Sequence, residues 1–315
     1  MSIRPLLIAS AALVFLGSPS REAFALDPGD ILVADFYRGL IRVGAGSEQT
    51  LFSVGQGLSG VVTDESGNIF AVATGAVVRI DPNSGTQSVV SQGGDLVFPR
   101  AIAFAPDHSL LVLDASARVL IRIDPMTGAQ TPVIRDRPVT WLTVGSNGLT
   151  HVTMTDGSGF DHLHRVDLAT GAMTLVPSPA FYAVQGLVTE ASGRVLVSEG
   201  FDDDVLAVDP VSGATAILTS RDLSGGELMN PGAMAIEGAG TIVLADKQNV
   251  VACSGPHGST CRGAIYRITP SSGGFLWPIS GNGFFADITG VAVYRGTAGT
   301  PTRMTSWGSV KLIYR

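Results

Sequence analysis

The sequence contains few positive charges. Only two of its 315 residues are lysine, Lys247 and Lys311, and the 20 Lys and Arg residues are outnumbered by 27 Asp and Glu, for a formal net charge of −7. Charged residues make up 15% of the chain, against roughly 25% in an average soluble domain. Because nucleic acids and anionic lipid surfaces are bound through clusters of Lys and Arg, this composition excludes both as partners.

Long apolar runs are also absent, except at the N-terminus. Residues 6–16 are apolar, Arg4 precedes them, and Ala23-Phe24-Ala25 follows. This order is typical of a secretory signal peptide cleaved after Ala25. A membrane anchor is the alternative, but eleven residues are too few for a bilayer, which needs about 20. We therefore expect residues 1–25 to be removed and the mature chain, without a membrane span, to be secreted or periplasmic.

Glycine, in contrast, is abundant, with 39 residues, and it belongs to turns between short apolar segments. In residues 99–134, four apolar runs with a period of two are separated by turn sequences such as residues 105–108 and 124–128. In both turns a proline presets φ, and Gly128 can adopt the left-handed conformation that closes a hairpin. The predicted four-stranded sheet is apolar on both faces, so it must stack on copies of itself.

The same pattern recurs along the chain. Second strands are anchored at positions 38 to 47 residues apart, a spacing typical of propeller blades: Ile31, Ile69, Leu110, Leu149, Val195 and Ile242. Six small apolar runs predict the innermost strands, at residues 60–62, 101–103, 141–143, 186–188, 233–235 and 290–292. The sequence thus predicts an all-β, six-bladed β-propeller over residues 26–296. Its four-stranded closing blade combines three N-terminal strands with one C-terminal strand, and we expect a monomer.

Three stretches carry a family resemblance: residues 58–85, 99–128 and 184–213. They resemble the six-bladed propellers that include NHL-repeat proteins, gluconolactonase-like (SMP-30) proteins and streptogramin lyases. The similarity covers about residues 28–296. Because the shared positions belong to strands and turns, the resemblance implies the fold and leaves the activity open.

Two segments depart from the repeat. An insertion at residues 249–262 contains both cysteines, and in a secreted chain a disulfide between Cys253 and Cys261 is the first interpretation. A metal pair is the alternative, although two cysteines and His257 fall short of a complete zinc site. The tail, residues 297–315, begins with a linker and could then form a short helix from Ser306. We expect it to pack on the propeller rim, or else to act as a recognition tail.

Four acidic residues follow second strands, at the end of the propeller where the innermost strands begin: Asp35, Asp114, Glu199 and Asp246. We call this end the loop face. Carboxylates brought together there could bind a divalent cation as hard oxygen ligands. Alternatively, each acid caps its own turn by accepting hydrogen bonds from nearby backbone amides. A second polar group, His162 and His164 with two nearby aspartates, could bind metal or transfer protons, or could be a solvated loop.

The resemblance itself implies a metal site that this sequence does not match. Gluconolactonase-like enzymes hold a divalent cation with acidic and amide side chains at the entries to innermost strands, one of them an Asp in a Pro-Asp-Gly-Met type stretch. Here the matching stretch is residues 231–234, and Gly232 stands at the ligand position. Streptogramin lyases use His, Glu and magnesium, and no such set occurs at aligned positions. We therefore predict neither catalytic residues nor a metal or other cofactor, while a divalent cation remains the alternative.

Two functions from different classes follow. The favoured one is a secreted, non-catalytic propeller that binds a protein, glycan or small ligand through its loop face, where Arg100, Trp141, Gln185 and Phe201 would form a polar and aromatic rim. The alternative is a metal-dependent lactonase, hydrolase or lyase that uses the four acids in an altered arrangement. The side chains at the mouth of the central channel distinguish the two functions. Acids or histidines within metal-bonding distance favour the enzyme, and the polar and aromatic rim favours binding.

Overall fold

The computed structural model describes residues 25–225, 228–238, 240–247, 263–270, 275–281 and 283–296. Within these ranges, 25 strands form six antiparallel sheets. The apolar run of the predicted signal peptide, Cys253, Cys261 and the tail lie outside them. No helix in the described part of the chain is both long and apolar enough to cross a membrane.

Each sheet is one blade, with its innermost strand beside the central axis. The closing blade contains β25 (Ile288–Val293), β1 (Ile31–Asp35), β2 (Gly39–Val43) and β3 (Gln49–Val54). The next two contain β4 (Gly60–Thr63), β5 (Ile69–Ala73), β6 (Ala76–Ile80) and β7 (Gln87–Gln92), then β8 (Pro99–Phe104), β9 (Leu110–Asp114), β10 (Val119–Ile123) and β11 (Gln130–Ile134).

The remaining three blades follow the same order. They contain β12 (Val139–Val144), β13 (Thr150–Thr155), β14 (Phe160–Val166) and β15 (Met173–Leu175), then β17 (Val184–Thr189), β18 (Val195–Glu199), β19 (Asp204–Val208) and β20 (Thr215–Ser220), then β21 (Pro231–Glu237), β22 (Thr241–Asp246), β23 (Ala264–Ile268) and β24 (Leu276–Gly281). An additional short strand, β16 (Phe181–Tyr182), pairs with β14.

The ring is closed as the sequence predicts. β1 lies between β2 and β25, with Ile31 opposite Val293 and Val33 opposite Val291. Innermost strands contact one another in the order β4, β8, β12, β17, β21, β25 and back to β4. The predicted six-bladed, all-β propeller with a closing blade of three strands plus one is therefore confirmed.

Apolar side chains of second and third strands fill the spaces between blades. β9 is buried along its whole length, because its side chains contact a neighbouring blade on each face of the sheet. Leu111 and Leu113 belong to one core cluster, with β12 and β13, whereas Leu110 and Val112 belong to another, with β5. A continuous apolar run therefore replaces the polar and apolar alternation of a half-exposed strand.

The repeated turn between third and fourth strands sets the contact between successive blades. In residues 124–128, Asp124 Oδ1 accepts hydrogen bonds from the amides of Met126 (2.7 Å) and Thr127 (3.0 Å). Gly128 has a φ of +72°, and a Cβ at this position would lie 2.1 Å from the carbonyl oxygen of Val90 in the preceding blade. Glycine is thus required here by the backbone conformation and by the space.

One loop is shorter than the sequence indicates. The polar composition of residues 155–163 predicts an enlarged loop around His162, but β13 continues to Thr155 and β14 begins at Phe160. Cross-strand pairing of Met154 with His162 and of Thr155 with Asp161 extends the hairpin. The prediction was wrong because the polar composition of this segment masks its strand pairing, which β16 reinforces from the other side.

Candidate functional site

The acids of the loop face hold backbone loops in place. Asp114 is fully buried, and its Oδ2 accepts hydrogen bonds from the amides of Val97 and Phe98, each at 2.7 Å. Its Oδ1 accepts a third, from Ala117, at 2.8 Å. One carboxylate therefore ties the turn after the second strand to the loop that enters the innermost strand of the same blade.

The other three predicted acids occupy the same place in their own blades. The fully buried Asp35 accepts hydrogen bonds from the amides of Ala286 (2.6 Å) and Asp287 (2.8 Å). Asp246 accepts from two amides of the loop before β21, and Glu199 accepts from the amide of Tyr182. Burial raises the pKa of Glu199. These bonds are those expected of the capping alternative, and the four carboxylates are not brought together.

In the blade of β12, a different acid accepts the hydrogen bonds that hold the loop backbone. Thr153 stands where the acid would be, and Asp161 replaces it from the third strand. Its carboxylate accepts hydrogen bonds from Thr155 Oγ1 (2.7 Å), Thr140 Oγ1 (3.2 Å) and the amide of Val184 (3.1 Å). This role was not predictable from the repeat pattern, because the other acids stand at the ends of second strands and Asp161 lies on a third strand.

The polar group around His162 does not form one site. Asp156 lies 3.0 Å from His162 Nε2, and His164 Nδ1 lies 3.0 Å from the carbonyl oxygen of His162. Asp161 points to the opposite face of the strand, toward Thr140. The four side chains are thus divided between two faces of the sheet.

A cation and an aromatic ring stand at the mouth of the central channel. The guanidinium carbon of Arg100 lies 4.4 Å from the ring centroid of Trp141, a cation–π contact. The indole of Trp141 donates a hydrogen bond to the carbonyl oxygen of Val184 at 2.6 Å, which fixes the ring. Burial lowers the pKa of Arg100. Among the described residues, its guanidinium has no hydrogen-bond acceptor and no ion-pair partner.

A second cation, Lys247, reaches the same mouth from β22. Its Nζ donates a hydrogen bond to Gln185 Oε1 at 3.0 Å. Its stem lies over Gly232, where a Cβ would be 3.2 Å from Lys247 Cε. Burial lowers the pKa of Lys247, and the charge of Arg100 lowers it further, while Asp287 opposes the shift. Lys247 was not among the predicted site residues, although it is one of two lysines in the sequence and directly follows Asp246.

This mouth does not fit the divalent cation that the family resemblance implies. The position of the acidic ligand is Gly232, and the ammonium group of Lys247 is carried across it. Throughout the ranges that the structure describes, no three His, Cys, Asp or Glu side chains are grouped so that they could hold a metal ion. At the one ligand position that the resemblance locates, a glycine and the stem of Lys247 thus replace the acidic side chain.

Around the mouth, the loop face carries exposed aromatic side chains. In the described part of the chain, the exposed large aromatic residues on this face are Tyr37, Phe98, Phe160, Tyr182, Phe201 and Phe284, whereas only Phe275 and Trp277 are exposed elsewhere. Three of them form a cluster, because the ring of Tyr182 lies 4.6 Å from that of Phe201 and 5.6 Å from that of Phe160. Phe201 is 68% exposed.

Comparisons with known proteins agree with the architecture. No protein-family model matches the sequence, and no curated protein matches it. Among solved structures, a chain of a nidogen/laminin complex matches with a TM-score of 0.67 and 11% identity, covering 85% of this chain and 99% of that one.

Two lyase structures match as well. Virginiamycin B lyase from Staphylococcus aureus gives a TM-score of 0.55 at 12% identity, with 81% and 82% of the two chains covered. A streptogramin B lyase gives 0.53 at 12% identity, with 82% and 76% covered. At such identities a likeness establishes the fold alone, and the chain is a six-bladed β-propeller of the architecture shared by these proteins.

Proposed function

We propose that this protein is a secreted or periplasmic, non-catalytic β-propeller that binds a protein partner through its loop face. The observation that carries the proposal is the aromatic cluster of Phe160, Tyr182 and Phe201. Exposed aromatic side chains are enriched at protein–protein interfaces, where they supply large apolar contacts at low conformational cost.

The rigidity of the surrounding loops supports the same function. Glu199 and Asp161 hold the backbone on either side of Tyr182, through the amides of Tyr182 and Val184. A surface held in one conformation before binding loses less conformational entropy when a partner is bound. The loop face is thus suited to bind with little rearrangement.

The proposal is tested by capture on the immobilised mature protein. Extracellular proteins of the source organism and a glycan array are applied to wild-type protein, to Phe201→Ser and to a control variant, Val211→Ser, whose exposed apolar residue lies at the opposite end of the propeller. We expect a protein that binds the wild type and the control and is lost from Phe201→Ser. Glycan binding alone, or a partner insensitive to Phe201, contradicts the proposal.

Catalysis is tested separately. The mature protein is assayed for lactone hydrolysis and for lyase activity with Mg²⁺, Mn²⁺, Ca²⁺ or Zn²⁺, and its thermal unfolding is compared with that in chelator. A metal bound at 100 times its dissociation constant would raise the free energy of unfolding by about 2.7 kcal/mol. We expect neither turnover nor a metal-dependent shift, and metal-dependent turnover would establish the enzymatic alternative instead.

A further inference from the structure

We propose that the mouth of the central channel is a carboxylate-binding site in which Arg100 and Lys247, the latter held by Gln185, receive an acidic side chain of the protein partner. This inference rests on the proposed function and names the chemistry at the centre of the same face. Its carrying observation is that two cations from two blades lie close enough at this mouth to repel each other, and among the described residues neither has an acidic ion-pair partner.

The two cations are partly removed from water without a counter-charge. The side chains of Arg100 and Lys247 are half-buried, yet among the described residues neither forms an ion pair. Removing a charge from water without a partner is costly, and an anion that enters recovers part of that cost. The lowered pKa values of Arg100 and Lys247 have burial as their main cause and agree with this picture.

The directions of the donors match a planar oxyanion. The guanidinium carbon of Arg100 lies over the Trp141 ring, and among the described residues none of its N–H groups has an acceptor. A planar guanidinium with free N–H groups can bind the two oxygens of a carboxylate together. Trp141 thus orients Arg100 without using its donors.

Gln185 fixes the position of the Lys247 ammonium group. Lys247 has only N–H groups to offer, so the oxygen of the Gln185 amide must be the atom that faces it at 3.0 Å. The amide nitrogen of Gln185 lies beside Gly200, where an added Cβ would be 3.3 Å from Nε2. Arg100 and Lys247 supply only donors, and an ionised carboxylate is a ligand that only accepts.

The nearby acids favour a monoanion over a dianion. Asp287 interacts electrostatically with Lys247, and Asp161 with Arg100, without being in ion-pair contact. Their negative charges offset part of the two positive charges of the site. A single carboxylate charge therefore complements the mouth better than a phosphate or sulfate dianion.

The size of the cavity indicates a side chain. The channel cavity lined by Arg100, Trp141 and Thr289 has a volume of about 70 Å³, and Lys247 and Gln185 lie beyond the residues that line it. A polar cavity of this size admits a few water-sized groups. It accommodates a carboxylate and one or two methylene groups, and the rest of the ligand must lie outside. The surface outside is the loop face with its exposed aromatic residues, where the body of a protein partner would lie.

The test is an NMR titration that needs no partner. Sodium acetate replaces sodium chloride at constant ionic strength in ¹⁵N-labelled mature protein, and the indole N–H of Trp141, assigned by its loss in Trp141→Phe, is followed. We expect a saturable shift with a Kd of roughly 1–10 mM, because so small a ligand makes few contacts. Sulfate should bind more weakly, and a preference for sulfate contradicts a carboxylate site.

Variants establish which side chains bind. Arg100→Gln and Lys247→Met should each raise the acetate Kd about tenfold or more, since each removes a charge-assisted hydrogen bond. Lys247→Met retains the stem over Gly232, so the fold is preserved even if Arg100→Gln is unstable. Arg122→Gln, which removes a cation paired with Asp107, should leave the Kd unchanged. A non-saturating shift, or equal Kd values in all variants, overturns the proposal.

The source of the carboxylate is distinguished by two blocked peptides, Gly-Asp-Gly and Gly-Asn-Gly. We expect the Asp peptide to bind at least as tightly as acetate and the Asn peptide not to bind. Exclusion of the Asp peptide while acetate binds would assign the site to a free small carboxylate and overturn the side-chain source. The two proposals fail separately, because acetate binding does not involve Phe201 and partner capture does not require acetate binding.

Discussion

His151 should make the stability of this propeller depend on pH in the weakly acidic range. It lies in β13, is 1% exposed, and its Nδ1 has no hydrogen-bond partner among the described residues. Burial lowers its pKa from 6.5 to about 4, with a smaller contribution from the charge of Arg165. The folded chain therefore resists protonating this ring, whereas the unfolded chain protonates it readily.

The sign and magnitude follow from these two pKa values. Well above pH 6.5 the imidazole is neutral in both states and contributes nothing to the pH dependence. As the pH falls below 6.5 the unfolded state binds the proton first, and the free energy of unfolding decreases by about 2 kcal/mol at pH 5 and by about 3 kcal/mol at pH 4.

The measurement is urea unfolding of wild type and His151→Leu at several pH values between 7.5 and 4. The difference in free energy of unfolding between the two proteins should change by about 2 kcal/mol from pH 7.5 to pH 5 in favour of the variant. Thr150→Val is the matched control, because the buried Thr150 Oγ1 also has no partner in the described residues but does not titrate. A His151→Leu curve parallel to that of wild type would show that His151 does not cause the loss of stability at low pH.

Three other outcomes are expected. Asp114→Ala leaves three backbone amides without their acceptor, so it should lower the free energy of unfolding by roughly 3 kcal/mol and speed hydrogen exchange in the loop before β8. Gly128→Ala places a Cβ 2.1 Å from a carbonyl oxygen at a φ of +72° and should destabilise by more than about 2 kcal/mol, whereas Gly157→Ala, with no atom within 4 Å, should not. Cys253 and Cys261 should be linked in secreted protein, a difference of two hydrogens that non-reducing mass spectrometry detects; two free thiols would exclude the bond.

The blade order was predictable because its signals are local. Period-two apolar runs and the Asp-Pro-x-Ser/Thr-Gly turns repeat at fixed offsets, and the shifted ends of the chain indicate how the ring closes. The short strand β16 was not predictable, because two residues carry no periodicity. Its pairing with β14 depends on the path of the chain through residues 176–180.

The site was only partly predictable, because its chemistry arises between blades. The sequence indicates Arg100, Trp141 and Gln185 at the entries of three innermost strands, and the structure brings Arg100 onto Trp141 and Gln185 onto Lys247. Lys247 belongs to a fourth blade, and its stem passes Gly232, where an added Cβ would lie 3.2 Å from Lys247 Cε. Lys247 and Gly232 are 15 positions apart in the sequence and meet because β21 pairs with β22. A local sequence pattern cannot predict such a contact.

The closing blade has a consequence for the timing of folding. Its innermost strand, β25, contains some of the last residues in the propeller to be synthesised, whereas its other three strands are among the first. Until residues 288–293 have left the ribosome, β1 presents an unpaired edge, and the contacts of β25 with β21 and β4 are missing. The ring therefore stays open throughout the synthesis of the other five innermost strands and can close only after β25 has emerged.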